Sequence, residues 1–158
     1  NIISTAKKFL GIPYLWGGTS TKAFDCSGFT KTVYFLNGII LPRDASQQVN
    51  VGEFVEHPDL IGIDTTINFE KLLPGDLLFF GRKGNENQAE KIVHVGIYIG
   101  DTEFIHASGM VKINSLDKDR KNYDEYRFKS FVKSKRILNS INKNGVQLIK
   151  ENKFYFGD

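Results

Sequence analysis

The hydrophobic positions change period along the chain. At the start they recur at helical spacing: Ile3, Ala6, Phe9 and Leu10 form a stripe that predicts a short amphipathic helix, ended by Gly11. Pro13 cannot continue that helix, and Gly17-Gly18 opens an irregular loop running to about Phe24. Helical spacing resumes after Cys26, with Phe29, Val33 and Leu36 on one stripe and Asn37-Gly38 as the stop. Arg43 to Val49, following Pro42, has room for one or two more helical turns. Beyond this the period falls to two. Leu73-Pro74-Gly75-Asp76 predicts a turn feeding a strand over Leu77 to Phe80. Ile92 to Ile99 is β-branched and alternating. Phe104 to Ala107 follows a tight Gly100-Asp101 turn, Val111 to Ile113 adds another strand, and Phe131 to Leu138 alternates again.

Helices first and strands later argue for an α+β fold with an antiparallel sheet. Pro58 to Glu70 and the polar stretch Arg82 to Glu90 are expected to be loops. Residues 1–138 are predicted to form one domain. Residues 139–158 are weakly patterned and predict an extension on the same domain, packing Phe154, Tyr155 and Phe156 on its surface. There is no internal repeat and no low-complexity tract.

Composition narrows this picture. A chain of 158 residues, 41% hydrophobic and 25% charged and rich in Phe, builds one core of ordinary size. No apolar run approaches the roughly 18 residues that span a bilayer. A signal-peptide pattern is lacking, and an opening at Asn1 without an initiator Met predicts a piece of a longer protein. The net charge of +3 favours anionic partners only weakly. Basic residues at Lys118 to Lys121 and Lys129 to Arg136 have acidic residues among and between them, the pattern of a solvated face, so nucleic acid is not indicated.

A single cysteine allows no internal disulfide, and a lone Cys is more often a small buried hydrophobe than a nucleophile. Its setting argues otherwise. Cys26 begins a predicted helix with Asp25 as N-cap, where helix amides and the dipole stabilise a thiolate. Ser27 and Gly28 are small and leave the sulfur approachable. Of three histidines, His94 and His106 fall in adjacent predicted strands, an even number of residues apart. A hairpin about Gly100-Asp101 brings them within side-chain reach on one face. A histidine beside the thiol takes its proton and returns it to a leaving amine, while a third polar group fixes the active ring nitrogen. A zinc site from His94, His106 and Cys26 is the competing reading, but zinc wants a fourth group and a closer ligand pattern.

These residues sit in strings that resemble the NlpC/P60 cysteine peptidases: Asp25-Cys26-Ser27-Gly28-Phe29, His94-Val95-Gly96-Ile97-Tyr98-Ile99-Gly100 and Phe104-Ile105-His106-Ala107-Ser108. Gly11-Ile12-Pro13-Tyr14-Leu15-Trp16-Gly17-Gly18 and Leu73-Pro74-Gly75-Asp76-Leu77 match as well, so the resemblance spans about residues 2 to 138 in the family's order. It implies a papain-like α+β fold, N-terminal helices on a central antiparallel sheet, and hydrolysis of peptidoglycan stem peptides without a metal or organic cofactor. It carries the nucleophile onto Cys26, the base onto His94, the orienting residue onto His106 and an oxyanion-side tyrosine onto Tyr14. Leu41-Pro42-Arg43-Asp44-Ala45-Ser46-Gln47-Gln48 is similar to the branch that cleaves γ-D-glutamyl–diamino acid bonds in peptides with a free N-terminal L-Ala. There Asp44, assisted by Asp25, would hold the ammonium. Arg43 would orient Asp44 or meet the D-Glu α-carboxylate, and Trp16 and Ser27 would line the subsite.

The chain departs from that branch at Ala45, where a serine hydroxyl is expected, and in a long stretch between Cys26 and His94, with Glu53 to Glu70 and Arg82 to Glu90 as expected insertions. In that branch N-terminal SH3-like domains of a longer parent chain often close one end of the groove. The substrate class implies a place outside the cytoplasmic membrane, with cytosolic recycling as the alternative. Rival readings are an endopeptidase acting on intact glycan-linked stems, a catalytically silent wall-binding module, and an amidase or acyltransferase on the same fold.

Overall fold

The computed structural model describes residues 1–56 and 69–156. The expected loop Pro58 to Glu70, and the first expected insertion with it, therefore lie largely outside the described residues. In chain order the elements are α1 (Ile2–Lys7), β1 (Thr19–Ser20), β2 (Ala23–Phe24), α2 (Cys26–Phe35), β3 (Ile39–Ile40), α3 (Ala45–Gln48), β4 (Glu53–Val55), β5 (Leu77–Arg82), β6 (Lys91–Gly100), β7 (Glu103–Ser108), β8 (Met110–Ser115), α4 (Glu125–Ser130), β9 (Phe131–Arg136), β10 (Gln147–Leu148) and α5 (Lys153–Phe156). Six strands form one antiparallel sheet in the order β4-β9-β5-β6-β7-β8. Two short ladders, β1 with β2 and β3 with β10, stand apart from it. The architecture is the predicted α+β.

Alternation along the central strands divides the interior in two. Leu77, Phe79, Val95, Ile97 and Ile105 pack with Phe24, Phe29 and Val33 of the helical layer. Leu78, Phe80, Tyr98 and Phe104 pack with Leu116 and Phe131 in a second cluster. Phe9, Phe24 and Phe29 meet edge-on, with centroids 5.2 to 6.5 Å apart, and fasten α1 and the first turn of α2 together.

Local chemistry explains where the elements depart from expectation. Asn1 caps α1 by accepting from Ile3 and Ser4, but the helix ends at Lys7 rather than near Leu10. Phe9 and Leu10 donate only to carbonyls three residues back, and the chain turns through left-handed Gly11. On α2 the buried stripe is Phe29, Thr30, Val33 and Tyr34, whereas Leu36 caps the helix and is exposed. Tyr34 fits the interior because its hydroxyl donates to the Gly75 carbonyl. The hairpin between β6 and β7 turns on Asp101 and Thr102, both left-handed, one residue later than predicted. The sequence pattern does not predict β1, β2, β3, β4, β10, α4 or α5; most are too short to carry a period.

The tail beyond β9 pairs with β3 through β10. Val146 is buried in the helical-side core and Tyr155 meets Phe35 at 5.7 Å, but Phe154 and Phe156 stay exposed.

Candidate active site

Cys26 is the first residue of α2 and is buried but for 9% of its surface. Asp25 builds the turn that presents it. Its carboxylate accepts from the Gly28 amide at 2.6 Å and from the Gly17 amide at 3.0 Å, closing the Gly17-Gly18 loop onto the helix tip. Gly28 is needed for that closure, since a Cβ there would lie 2.1 Å from the Gly18 carbonyl oxygen. Gln48, fully buried, ties α3 to the same turn by donating to the Ser27 and Pro42 carbonyls and accepting from Thr30 Oγ1.

The sheet brings the imidazoles together. Continuing the β6–β7 register one pair beyond Ile97–Ile105 sets His106 opposite Gly96, which makes His94 its diagonal neighbour on the same face. A Cβ on Gly96 would press on His106 Cβ at 3.2 Å and on Phe104 Cδ2 at 3.0 Å, so Gly96 leaves room for the ring. A bulge between β5 and β6 pairs Phe80 with His94 but Gly81 with Ile92. It turns Val93 outward and re-aims the end of β6 beside the cleft.

His94 Nε2 lies 2.8 Å from His106 Nδ1, and His106 Nε2 lies 2.9 Å from Asn114 Oδ1. The Asn114 amide donates to the Asn122 carbonyl at 3.0 Å, so its oxygen faces His106 as acceptor. His106 then carries its proton on Nε2 and accepts at Nδ1. His94 in turn donates from Nε2, which leaves His94 Nδ1 as the basic nitrogen.

An open cleft of about 300 Å³ is lined by Tyr14, Cys26, Val93, His94, Ala107, Ser108, Gly109, Tyr126 and Arg127. Burial pushes the Cys26 thiol up, with Asp25 adding to it, while backbone hydrogen bonds from Val95 and Ser27 and the Arg127 charge pull the other way. Burial likewise holds His94 well below the usual histidine range, helped by Arg127 and by His106. Burial thus acts against the thiolate stabilisation supplied by the helix start. Burial disfavours separate ionisation of either group, but a proton passed from sulfur to imidazole leaves the net charge of the pair unchanged. Tyr14, whose hydroxyl is kept neutral by partial burial, remains a donor.

The predicted substrate residues are disposed differently. Arg43 grips Asp25 as a fork, Nη2 to Oδ2 at 2.6 Å and Nη1 to Oδ1 at 3.1 Å, and also donates to Ser27 Oγ at 3.2 Å. It is thus committed to Asp25 and not to Asp44, and it leaves the Asp25 carboxylate saturated. Asp44 is exposed at the start of α3, in a capping box with Gln47. Trp16 is 86% exposed on the neighbouring loop. Asp25, Ser27, Arg43, Asp44 and Trp16 all lie outside the cleft lining. Sequence reasoning missed Asn114, Tyr126, Arg127 and Gln48. Only Gln48 carried a signal, as a polar residue within the Arg43-to-Gln48 string. Among the described residues no three His, Cys, Asp or Glu side chains converge as a metal-holding set.

Comparison with known proteins shows which family the chain belongs to. The chain is 41% identical over 107 residues to the gamma-D-glutamyl-L-lysine dipeptidyl-peptidase of Bacillus cereus, covering 68% of this chain and 28% of that protein. It is 34% identical over 126 residues to dipeptidyl-peptidase 6 of Lysinibacillus sphaericus, covering 78% of this chain and 38% of that protein. It thus spans about a third of the length of these curated relatives. The crystal structure of an NlpC/P60 family protein from Bacillus cereus superposes with a TM-score of 0.65 at 36% identity, over 85% of this chain and 38% of the other. The sequence model of the NlpC/P60 family matches residues 11–133. On the match over most of its length, this chain belongs to the NlpC/P60 family.

Proposed function

We propose that this protein is a cysteine peptidase that hydrolyses the amide between D-γ-glutamate and the diamino acid of peptidoglycan stem peptides. The observation that carries the reading is the proton chain Asn114–His106–His94, which leaves one basic nitrogen in the cleft that holds the only cysteine of the sequence. His94 Nδ1 takes the thiol proton as sulfur adds to the carbonyl carbon. Negative charge developing on the carbonyl oxygen is met by the Cys26 N–H, which has no partner within its own helix, and by the Tyr14 hydroxyl. The imidazolium protonates the leaving amine and the C–N bond breaks. A water, deprotonated by His94, then hydrolyses the thioester and restores the thiol.

The similarity to dipeptidyl-peptidases supports a substrate with a free N-terminal L-Ala, releasing L-Ala-γ-D-Glu. With Asp25 saturated by Arg43, the exposed carboxylate of Asp44 is the better partner for that ammonium. Such a substrate favours a place outside the cytoplasmic membrane, with cytosolic recycling as the alternative.

Mass spectrometry of products from defined tri- and tetrapeptide stems, with free and with acylated L-Ala, tests the reading. The dipeptide is expected from free-amine stems, and Cys26→Ala is expected to release none. Hydrolysis that survives Cys26→Ala refutes the mechanism. Preferential cleavage of acylated or glycan-linked stems refutes the free-amine specificity.

A further inference from the structure

The cleft contains a cation to which the proposed chemistry gives no step of its own. Arg127 lies in α4, whose cap Asp124 accepts from the Arg127 amide at 3.0 Å. Its side chain runs over the Phe80 ring, with the guanidinium carbon 5.8 Å from the centroid, and passes 5.1 Å from the Tyr126 centroid. Every other arginine has a polar partner: Arg43 has Asp25, Arg82 the Ala89 carbonyl, Arg120 Asp101, and Arg136 Asp76. Among the described residues the Arg127 guanidinium has neither an ion pair nor a hydrogen bond. It is half-buried, and that burial lowers its pKa.

A half-buried guanidinium with no ion pair or hydrogen bond, and only the more distant Asp124 charge acting on it, is improved by a ligand that supplies both. Its planar fork matches a carboxylate. Position decides which carboxylate. The amine that leaves must reach His94, because His94 delivers its proton. Arg127 lines the same cleft as His94, and its guanidinium lies over the Phe80 ring, which meets the His94 ring at 5.8 Å, whereas Asp25 and Arg43 lie outside the lining. The Arg127 charge reaches Cys26 and Tyr14 as well as His94 and His106, and it is the stacking on Phe80 that sets it on the His94 side.

The geometry points to Arg127 as a carboxylate-binding subsite for the residue on the leaving-amine side of the scissile bond, the diamino acid. This rests on the reading of the protein as a stem-peptide hydrolase. Two carboxylates have this chemistry: the free α-carboxylate of a C-terminal diamino acid, and the second carboxylate that diaminopimelate has and lysine lacks. Tyr126, 68% exposed beside the cleft, would cover the aliphatic part of that residue.

The test compares L-Ala-γ-D-Glu-meso-diaminopimelate, its L-lysine counterpart and the C-terminal amide of each, on the wild type, Arg127→Met and Arg127→Lys. Methionine keeps the packing on Phe80 without the charge, and lysine keeps the charge without the fork. In at least one of these pairs, acid against amide or diaminopimelate against lysine, the wild type is expected to prefer the peptide with the additional carboxylate by about tenfold or more in kcat/KM, expressed mainly in KM. That preference should collapse towards one in Arg127→Met and be intermediate in Arg127→Lys. Acid against amide in the lysine series reports the α-carboxylate, and the diaminopimelate amide against the lysine amide reports the second one. Calorimetric binding of the same peptides to Cys26→Ala, with and without Arg127→Met, separates the subsite from turnover. Carboxylate-dependent binding that needs Arg127, without cleavage of any stem, sinks the hydrolase reading and leaves the subsite standing. Acid-to-amide and diaminopimelate-to-lysine ratios that are both unchanged in Arg127→Met overturn the subsite, as does an equal loss on all four peptides with a shifted pH dependence of Cys26 alkylation. In the last case the guanidinium serves the thiolate.

Discussion

Asn114 reaches the reacting atoms only through His106, yet its amide sets the tautomer of both rings. Asn114→Leu removes the acceptor and lets the rings adopt the other tautomers, so kcat should fall by about tenfold or more, as for other residues that orient catalytic histidines. Asn114→Asp keeps an acceptor but adds an anion, which favours imidazolium. The acid limb of kcat/KM should then move to higher pH, an effect that a purely structural residue would not produce. A second consequence concerns stability. Burial brings His106 down to about 4 from an ordinary value of 6.5. The unfolded chain therefore binds more protons than the fold between these values. The stability contributed by the neutral ring is complete above about pH 6.5 and is lost as the pH falls towards 4, a span worth about 3 kcal/mol at most. His94 shifts in the same direction. Urea midpoints should drop from pH 7 to pH 4.5, less steeply in His106→Asn. Identical slopes in the two proteins would remove His106 from the account.

At the scale of elements, the N-terminus of α2 is shaped by close backbone approach. Alanine in a helix is ordinarily better than glycine by up to about 1 kcal/mol. At Gly28 the sign reverses, because the new methyl would meet the Gly18 carbonyl oxygen and force apart the loop that Asp25 closes. Gly28→Ala should destabilise by about 1–3 kcal/mol and depress activity with it; a rise in melting temperature would contradict this packing. Gly81 plays the matching part in the sheet, where a Cβ would lie 1.9 Å from the Lys91 carbonyl oxygen at the bulge that re-aims the end of β6.

Across the whole molecule, Arg136 at the end of β9 reaches the turn before β5. It forks onto Asp76 at 2.7 and 2.9 Å and donates to the Lys71 carbonyl. Asp76 also accepts from the Leu73 amide and is 2% exposed. Arg136→Met leaves that carboxylate buried without its cation and should cost about 3 kcal/mol or more in denaturant unfolding. Lys129→Met, which breaks the exposed pair with Glu125 on α4, should leave the midpoint in place. Equal effects from the two changes would mean that the Asp76 turn is hydrated in solution.

Much of this was legible in the chain, for identifiable reasons. The period of Phe29 and Val33, the alternation of Ile92 to Ile99 and the turn residues around positions 75 and 101 are local properties, so α2, β5, β6, β7 and their antiparallel order follow from short-range sterics and burial. Cys26 at a helix start and an even spacing of His94 from His106 belong to the same class. Tertiary structure alone decided what depends on distant partners: that Arg43 faces Asp25 rather than Asp44, that Asn114 on β8 orders the imidazole protons, and that α4 sets Arg127 in the cleft. A charged or polar side chain carries no period that reveals its partner. Its position is determined by desolvation and hydrogen bonding after the strands have met, between residues far apart in the chain.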